Sequence, residues 1–120
     1  MTDHPSLTDI FAAWGAQSPD DRAALVASAI GSEFYYSDPH APEPITSADA
    51  FLEFIGMFST NMPDGSAQVV EPVDAHHGHA RATVRFMRGD TAMMSGQYFA
   101  DFDADGKIVR LIGFPGKGAE

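Results

Sequence analysis

Apolar positions along this chain follow a helical period up to about residue 62, broken by one short aromatic strand, and a strand period after it. Leu7, Ile10, Phe11 and Trp14 recur at helical spacing and predict one apolar stripe. Ser6 stands at the start, with Asp9 three residues on as a capping-box-like partner, and Gly15 and Ser18 close the segment. Ser18-Pro19-Asp20-Asp21 opens a second helix, with an N-cap, a proline in the first turn and two acids on the positive dipole end. That helix runs to about Ala29 and buries Leu25, Val26 and Ile30, with Gly31 as its stop. Glu33–Ser37 has the aromatic bias of a strand, and Asp38-Pro39 ends it. After a loop holding Pro39, Pro42 and Pro44, Ser47 caps a third helix. Its Phe51, Phe54, Ile55 and Phe58 keep the i, i+3, i+4, i+7 rule, and Pro63-Asp64-Gly65 stops it.

From there the period is two. Ala67–His76, His79–Arg88, Ala92–Phe102 and Lys107–Phe114 alternate, separated by His77-Gly78, Gly89-Asp90 and Asp103-Ala104-Asp105-Gly106. Strands joined by such short connections form an antiparallel meander, and Pro72 makes the first an edge or bulged strand. The prediction is a single α+β domain over residues 1–120: a cone-shaped, curved antiparallel sheet wrapped around a long helix. Its concave side is a natural ligand pocket.

Composition narrows the function. The chain has 120 residues, no cysteine and a net charge of −10, with only seven scattered Lys and Arg. Nucleic acid is excluded as a partner, because neutralising phosphates needs clustered cations. No basic-then-apolar leader and no membrane-length apolar run are present, so the chain is read as cytoplasmic, with no membrane partner. Six methionines and nine phenylalanines suit an adaptable apolar wall for a nonpolar ligand.

The chemistry centres on Tyr35-Tyr36-Ser37-Asp38-Pro39-His40. A carboxylate leaving a rigid aromatic strand is placed for general-base work; equally, Asp before Pro is ordinary turn chemistry. Tyr98 has Gly96 and Ala100 as same-face neighbours, which leaves room in front of its ring. Trp14, Tyr36, Phe54, Met57, Phe58, Phe86, Met94 (or Met93) and Phe114 are the candidate apolar lining, and His40 sits two residues from Asp38. His76, His77 and His79 surround a tight turn with no further cluster to complete a shell, so no metal is assigned. Arg81, Thr83 and Arg85 alternate on one side of a strand, a solvated or dimer-facing pattern. Asp101 falls on the side opposite Tyr98.

This order of elements resembles the nuclear transport factor two-like superfamily over Leu7 to Phe114. It has two helices, a strand ending in Asp-Pro, a loop, a third helix and four strands closing with Phe102-Asp103-Ala104-Asp105-Gly106-Lys107-Ile108-Val109. The superfamily includes SnoaL-like polyketide cyclases, ketosteroid isomerases, limonene epoxide hydrolase and scytalone dehydratase. The resemblance implies the conical fold with an internal pocket and, by analogy, a homodimer formed through the outer sheet face. Likeness to the ketosteroid isomerases implies that Asp38 abstracts a proton next to a carbonyl. In those enzymes the Asp base faces an oxyanion hole made of a Tyr and a protonated Asp. Here Trp14 falls where they carry the Tyr, and Tyr98 where they carry the protonated Asp.

Taken together, the sequence leads to a small-molecule-binding protein that acts on a nonpolar carbonyl compound. Asp38 is the candidate base, and Tyr98, helped by Trp14, the oxyanion donor. No metal or organic cofactor is implied. The alternatives are a non-catalytic binder or dimeric scaffold, and a hydrolase or dehydratase that pairs Asp38 with His40 or Asp101.

Overall fold

The computed structural model describes residues 5–16, 18–62 and 64–116. Helix α1, Pro5–Ala12, passes into a 3₁₀ turn, Ala13–Gly15, and α2 follows at Pro19–Ala29. Strand β1, Ile30–Ser37, then leads through the proline loop to α3, Ala48–Asn61. The remaining strands are β2 (Gly65–His76), β3 (His79–Arg88), β4 (Thr91–Phe102) and β5 (Ile108–Pro115). Among the described residues these make one five-stranded sheet in the order β1-β5-β4-β3-β2.

The caps explain two of the helix starts. Ser18 Oγ accepts from Asp21 N at 3.1 Å and Ser47 Oγ accepts from Ala50 N at 3.1 Å, each satisfying an amide that has no partner within its helix. The β2–β3 connection is a two-residue turn in which His77 (φ 50°) and Gly78 (φ 81°) are both left-handed, the geometry whose twist matches that of the flanking strands. Strand β2 lies at the sheet edge, and its register slips between Val70 and Asp74, around the backbone of Pro72.

Four expectations need correction. The first helix already includes Pro5, so Ser6 lies inside it; its hydroxyl donates to the Gly106 carbonyl at 2.7 Å, a contact 100 residues away. Trp14 sits on the 3₁₀ turn after α1. Ile30 caps α2 and at once begins β1, so Gly31 is a strand residue and stops nothing. The sheet is mixed, because β1 runs parallel to β5, with Tyr36 opposite Leu111 and Ser37 opposite Ile112. That parallel pair is joined only through the whole intervening chain, so no local pattern announces it. Pro63, named as part of the α3 stop, lies outside the described residues.

Side chains on the inner sheet face meet the helices in one core. Phe34 and Tyr36 of β1, Leu111 of β5, Tyr98 and Ala100 of β4 and Val84 of β3 are buried there. Leu7, Ile10 and Phe11 of α1 and Phe51 and Ile55 of α3 cover them. Small residues at Ala80, Ala82, Gly96, Ala100 and Gly113 leave the middle of the inner face low. Large rings can lie across it there.

Candidate functional site

A cavity of about 500 Å³ opens between the C-terminal half of α3, the ends of β1 and β5 and the start of β4. Helix α3 supplies Phe54, Met57, Phe58, Asn61 and Met62; β3 and β4 supply Phe86, Met93, Met94, Gly96 and Tyr98. Trp14 closes one side, and Asp38, Pro39, His40 and Pro42 form the loop side. Met57, Met93 and Met94 are largely exposed, so they form the lips of the cavity. Phe114 contributes at the strand end, while its ring packs edge to face against Phe99 at 5.8 Å, on the outer surface.

Asp38 follows Tyr36 by two residues, so the alternation of β1 carries both side chains to the inner face. The carboxylate is 7% exposed. Its Oδ1 accepts from His40 N at 2.6 Å and Ala41 N at 3.0 Å, and the Tyr36 hydroxyl donates to its Oδ2. The turn-capping reading and the cavity-lining reading therefore hold at once, one oxygen serving the Pro39 turn while the residue lines the pocket. His40 stands at the mouth, exposed, with Nδ1 3.9 Å from Asp38 Oδ1.

Tyr98 reaches this group through a gap. It pairs with Gly113 across the β4–β5 ladder, and Gly113 follows Ile112, the partner of Ser37 at the end of β1 just before Asp38. With no side chain at Gly113, the Tyr98 ring lies flat over β5: an added Cβ there would be 2.5 Å from Tyr98 Cε2. Phe11 holds the ring from above, edge to face at 4.9 Å. Tyr98 lies close enough to Tyr36 and Asp38 for each to bear on its hydroxyl.

Electrostatics follow from this burial. Removal from water pushes the Tyr98 hydroxyl up to about 12; the nearby Tyr36 hydroxyl works against that rise and the Asp38 charge adds to it. Burial foremost, then the neighbouring Tyr98 and Asp38, drive Tyr36 far above the ordinary tyrosine range. Both phenols are thus neutral donors at any physiological pH.

Of the residues singled out in the sequence, Asp38, Tyr98, Trp14, His40, Phe54, Met57, Phe58, Phe86, Met94 and Phe114 all border the cavity. Tyr36 does not. It is completely buried beneath Asp38 and is a partner of the carboxylate, not of a ligand. Asp101 is also removed from the site, bound at 2.6 Å to His79 Nδ1 and 3.9 Å from Arg110 Nε on the outer face. Arg81 pairs there with Asp74 at 2.6 Å, and Arg85 is exposed. Asn61 and Met62 are lining residues that the sequence reading does not include, although they continue the Phe54–Phe58 stripe at i+3 and i+4. Gly113 gives no signal in the sequence, because its importance depends on which strand lies opposite. Among the described residues no cluster of His, Cys, Asp or Glu has the form of a metal site. No described helix is long and apolar enough to cross a membrane.

No protein-family model and no curated protein matches the chain. Solved structures do. A candidate isomerase of the SnoaL-like family from Agrobacterium tumefaciens superposes with a TM-score of 0.84 at 21% identity, over 98% of this chain and 100% of that one. A candidate ketosteroid isomerase from Kribbella flavida gives 0.66 at 22% identity, over 98% of this chain and 79% of that one. A protein of ketosteroid isomerase-like fold from Catenulispora acidiphila, solved in complex with trimethylamine, gives 0.74 at 11% identity, over 96% and 88%. The fold is that of the nuclear transport factor two-like superfamily.

Proposed function

We propose that this protein binds a nonpolar, carbonyl-bearing small molecule and transfers a proton beside the carbonyl, with Asp38 as base. The observation that carries the reading is that Asp38 and Tyr98 both line one aromatic-walled cavity. The structural likeness to candidate isomerases supports it. In the step, a C–H bond next to the carbonyl breaks and its proton goes to an Asp38 oxygen. The bonding pair becomes the enolate double bond, and the carbonyl π pair moves onto oxygen, where Tyr98 donates a hydrogen bond. Return of the proton to another carbon completes an isomerisation. Trp14, 3% exposed and stacked on Phe11 at 5.1 Å, walls the reacting carbon from water.

A second reading is favoured by the trimethylamine complex: Asp38 acts as counter-ion to an amine held against the aromatic walls, with no turnover. The test is deuterium uptake at the activated carbon of 2-tetralone in D₂O, followed by proton NMR, with binding read from quenching of Trp14. Wild-type protein is expected to accelerate exchange over buffer, and Asp38→Asn to lose about 10²–10⁴-fold of that rate. Equal rates in wild type and Asp38→Asn would overturn the base assignment. Quenching by trimethylammonium with no exchange of the ketone would leave the amine-binding reading in its place.

A further inference from the structure

The Asp38 carboxylate carries three donors, and they are not alike. Two are backbone amides of the Pro39 turn, both on Oδ1 and fixed by the fold. The third is a phenol on Oδ2, free to rotate about its C–O bond without moving its ring. That ring is locked: Tyr36 is 0% exposed, tilted against Phe51 at 5.0 Å, Phe54 at 5.6 Å and Trp14 at 6.2 Å. A rigid ring thus fixes the direction from which Oδ2 is held.

We infer that Tyr36 is a positioning residue, which aims the Asp38 carboxylate at the C–H bond of the ligand. The backbone amides anchor only Oδ1, and the Tyr36 hydroxyl is what holds Oδ2. Without Tyr36 the free oxygen swings about that anchor, out of line with the C–H bond. The result is a slower chemical step with little change in binding.

The inference rests on the reading of Asp38 as base and Tyr98 as donor, and the experiment separates the two. The probe is 2-tetralone, with exchange rates measured at saturation and its affinity taken from Trp14 quenching. Three proteins are compared: wild type, Tyr36→Phe, and protein with 3-fluorotyrosine at position 36, which keeps the hydroxyl. In Tyr36→Phe the saturated rate should fall about tenfold to a hundredfold, the loss of one hydrogen bond to a charged group, while affinity stays within about twofold. The fluorotyrosine protein should regain most of the rate. A Tyr36→Phe rate equal to or above wild type would overturn the inference alone, since Tyr36 would then only restrain the base. A loss not rescued by fluorotyrosine would also overturn it, as a packing defect. Wild-type protein that leaves the ketone at the buffer rate would remove the underlying reading, and this inference with it.

Discussion

Replacing Gly113 by alanine tests the geometry on which the site depends. The φ of Gly113 is not left-handed, so the backbone admits an alanine, and the three atoms nearest to the new Cβ all belong to Tyr98. The new Cβ would lie 2.5, 2.9 and 3.1 Å from Tyr98 Cε2, Cζ and Cδ2. Carbon atoms in ordinary contact are about 3.5–4.0 Å apart, so the ring has to retreat by about 1 Å. It has little room: Phe11 packs against it at 4.9 Å, and a Cβ at Gly96 would already be 3.3 Å from its Cε1. Overpacking of this kind costs roughly 1–3 kcal/mol, offset by about 0.5–1 kcal/mol because glycine is the costlier residue to order in a strand. A net loss of about 0.5–2 kcal/mol is expected. The assay is urea unfolding followed by Trp14 fluorescence and far-ultraviolet circular dichroism, run as a double-mutant cycle with Tyr98→Ala. With the ring gone, Gly113→Ala should be neutral or slightly stabilising, giving a coupling of about 1–3 kcal/mol. The same ring shift moves the Tyr98 hydroxyl off Tyr36, so ketone exchange should fall together with stability. Coupling within about 0.5 kcal/mol of zero would refute the contact, and with it the account of how Tyr98 reaches Asp38.

Two further outcomes follow from the structure. Tyr98 ionises at about 12 when folded against 10.0 as a free side chain, so the folded state holds its proton more tightly. That stability is fully present below pH 10 and is lost as the pH rises through 12, amounting to about 3 kcal/mol, with Tyr36 acting in the same direction. Urea midpoints measured at about pH 9 and about pH 11.5 should therefore fall less in Tyr98→Phe than in wild type, and equal drops would refute the assignment. On the outer sheet face, Phe99 and Phe114 are 42% and 55% exposed and pack edge to face, beside Arg81, Arg85 and Arg110. Two copies should pair through this face, and a Phe99→Glu/Phe114→Glu variant should weaken the dimer at least about a hundredfold in sedimentation equilibrium. A wild-type chain that sediments as a monomer at all concentrations would refute that.

Local signals carry well where the physics is local. Ser18 and Ser47 are legible as caps because an N-cap acts on an amide three residues away. The His77-Gly78 turn is legible because its conformation belongs to two residues. Ser6 misleads because its partner, Gly106, is 100 residues distant. Ile30 misleads because an apolar residue after a helix looks the same whether the helix goes on or a strand begins. Asp38 and Tyr98 are identifiable as chemistry-bearing groups. Tyr36 passes for a ligand contact, although the two-residue spacing already puts it on the face of Asp38.

By itself, then, the chain's pattern determined an α+β protein with three helices ahead of a meander, an aromatic and methionine-rich wall, and a carboxylate at a strand end. Those properties arise from periodicity, capping and side-chain type, all expressed within a few residues. Tertiary structure alone decided that β1 lies parallel to β5, and so that the strand end before Asp38 lies next to the Gly113–Tyr98 pair. It also decided that Tyr36 stands beneath Asp38 as its hydrogen-bond partner and that His79 is what holds Asp101, which alternation already puts on the side opposite Tyr98. Register between strands far apart in the chain is set by the sum of packing over the whole core. No single segment contains it.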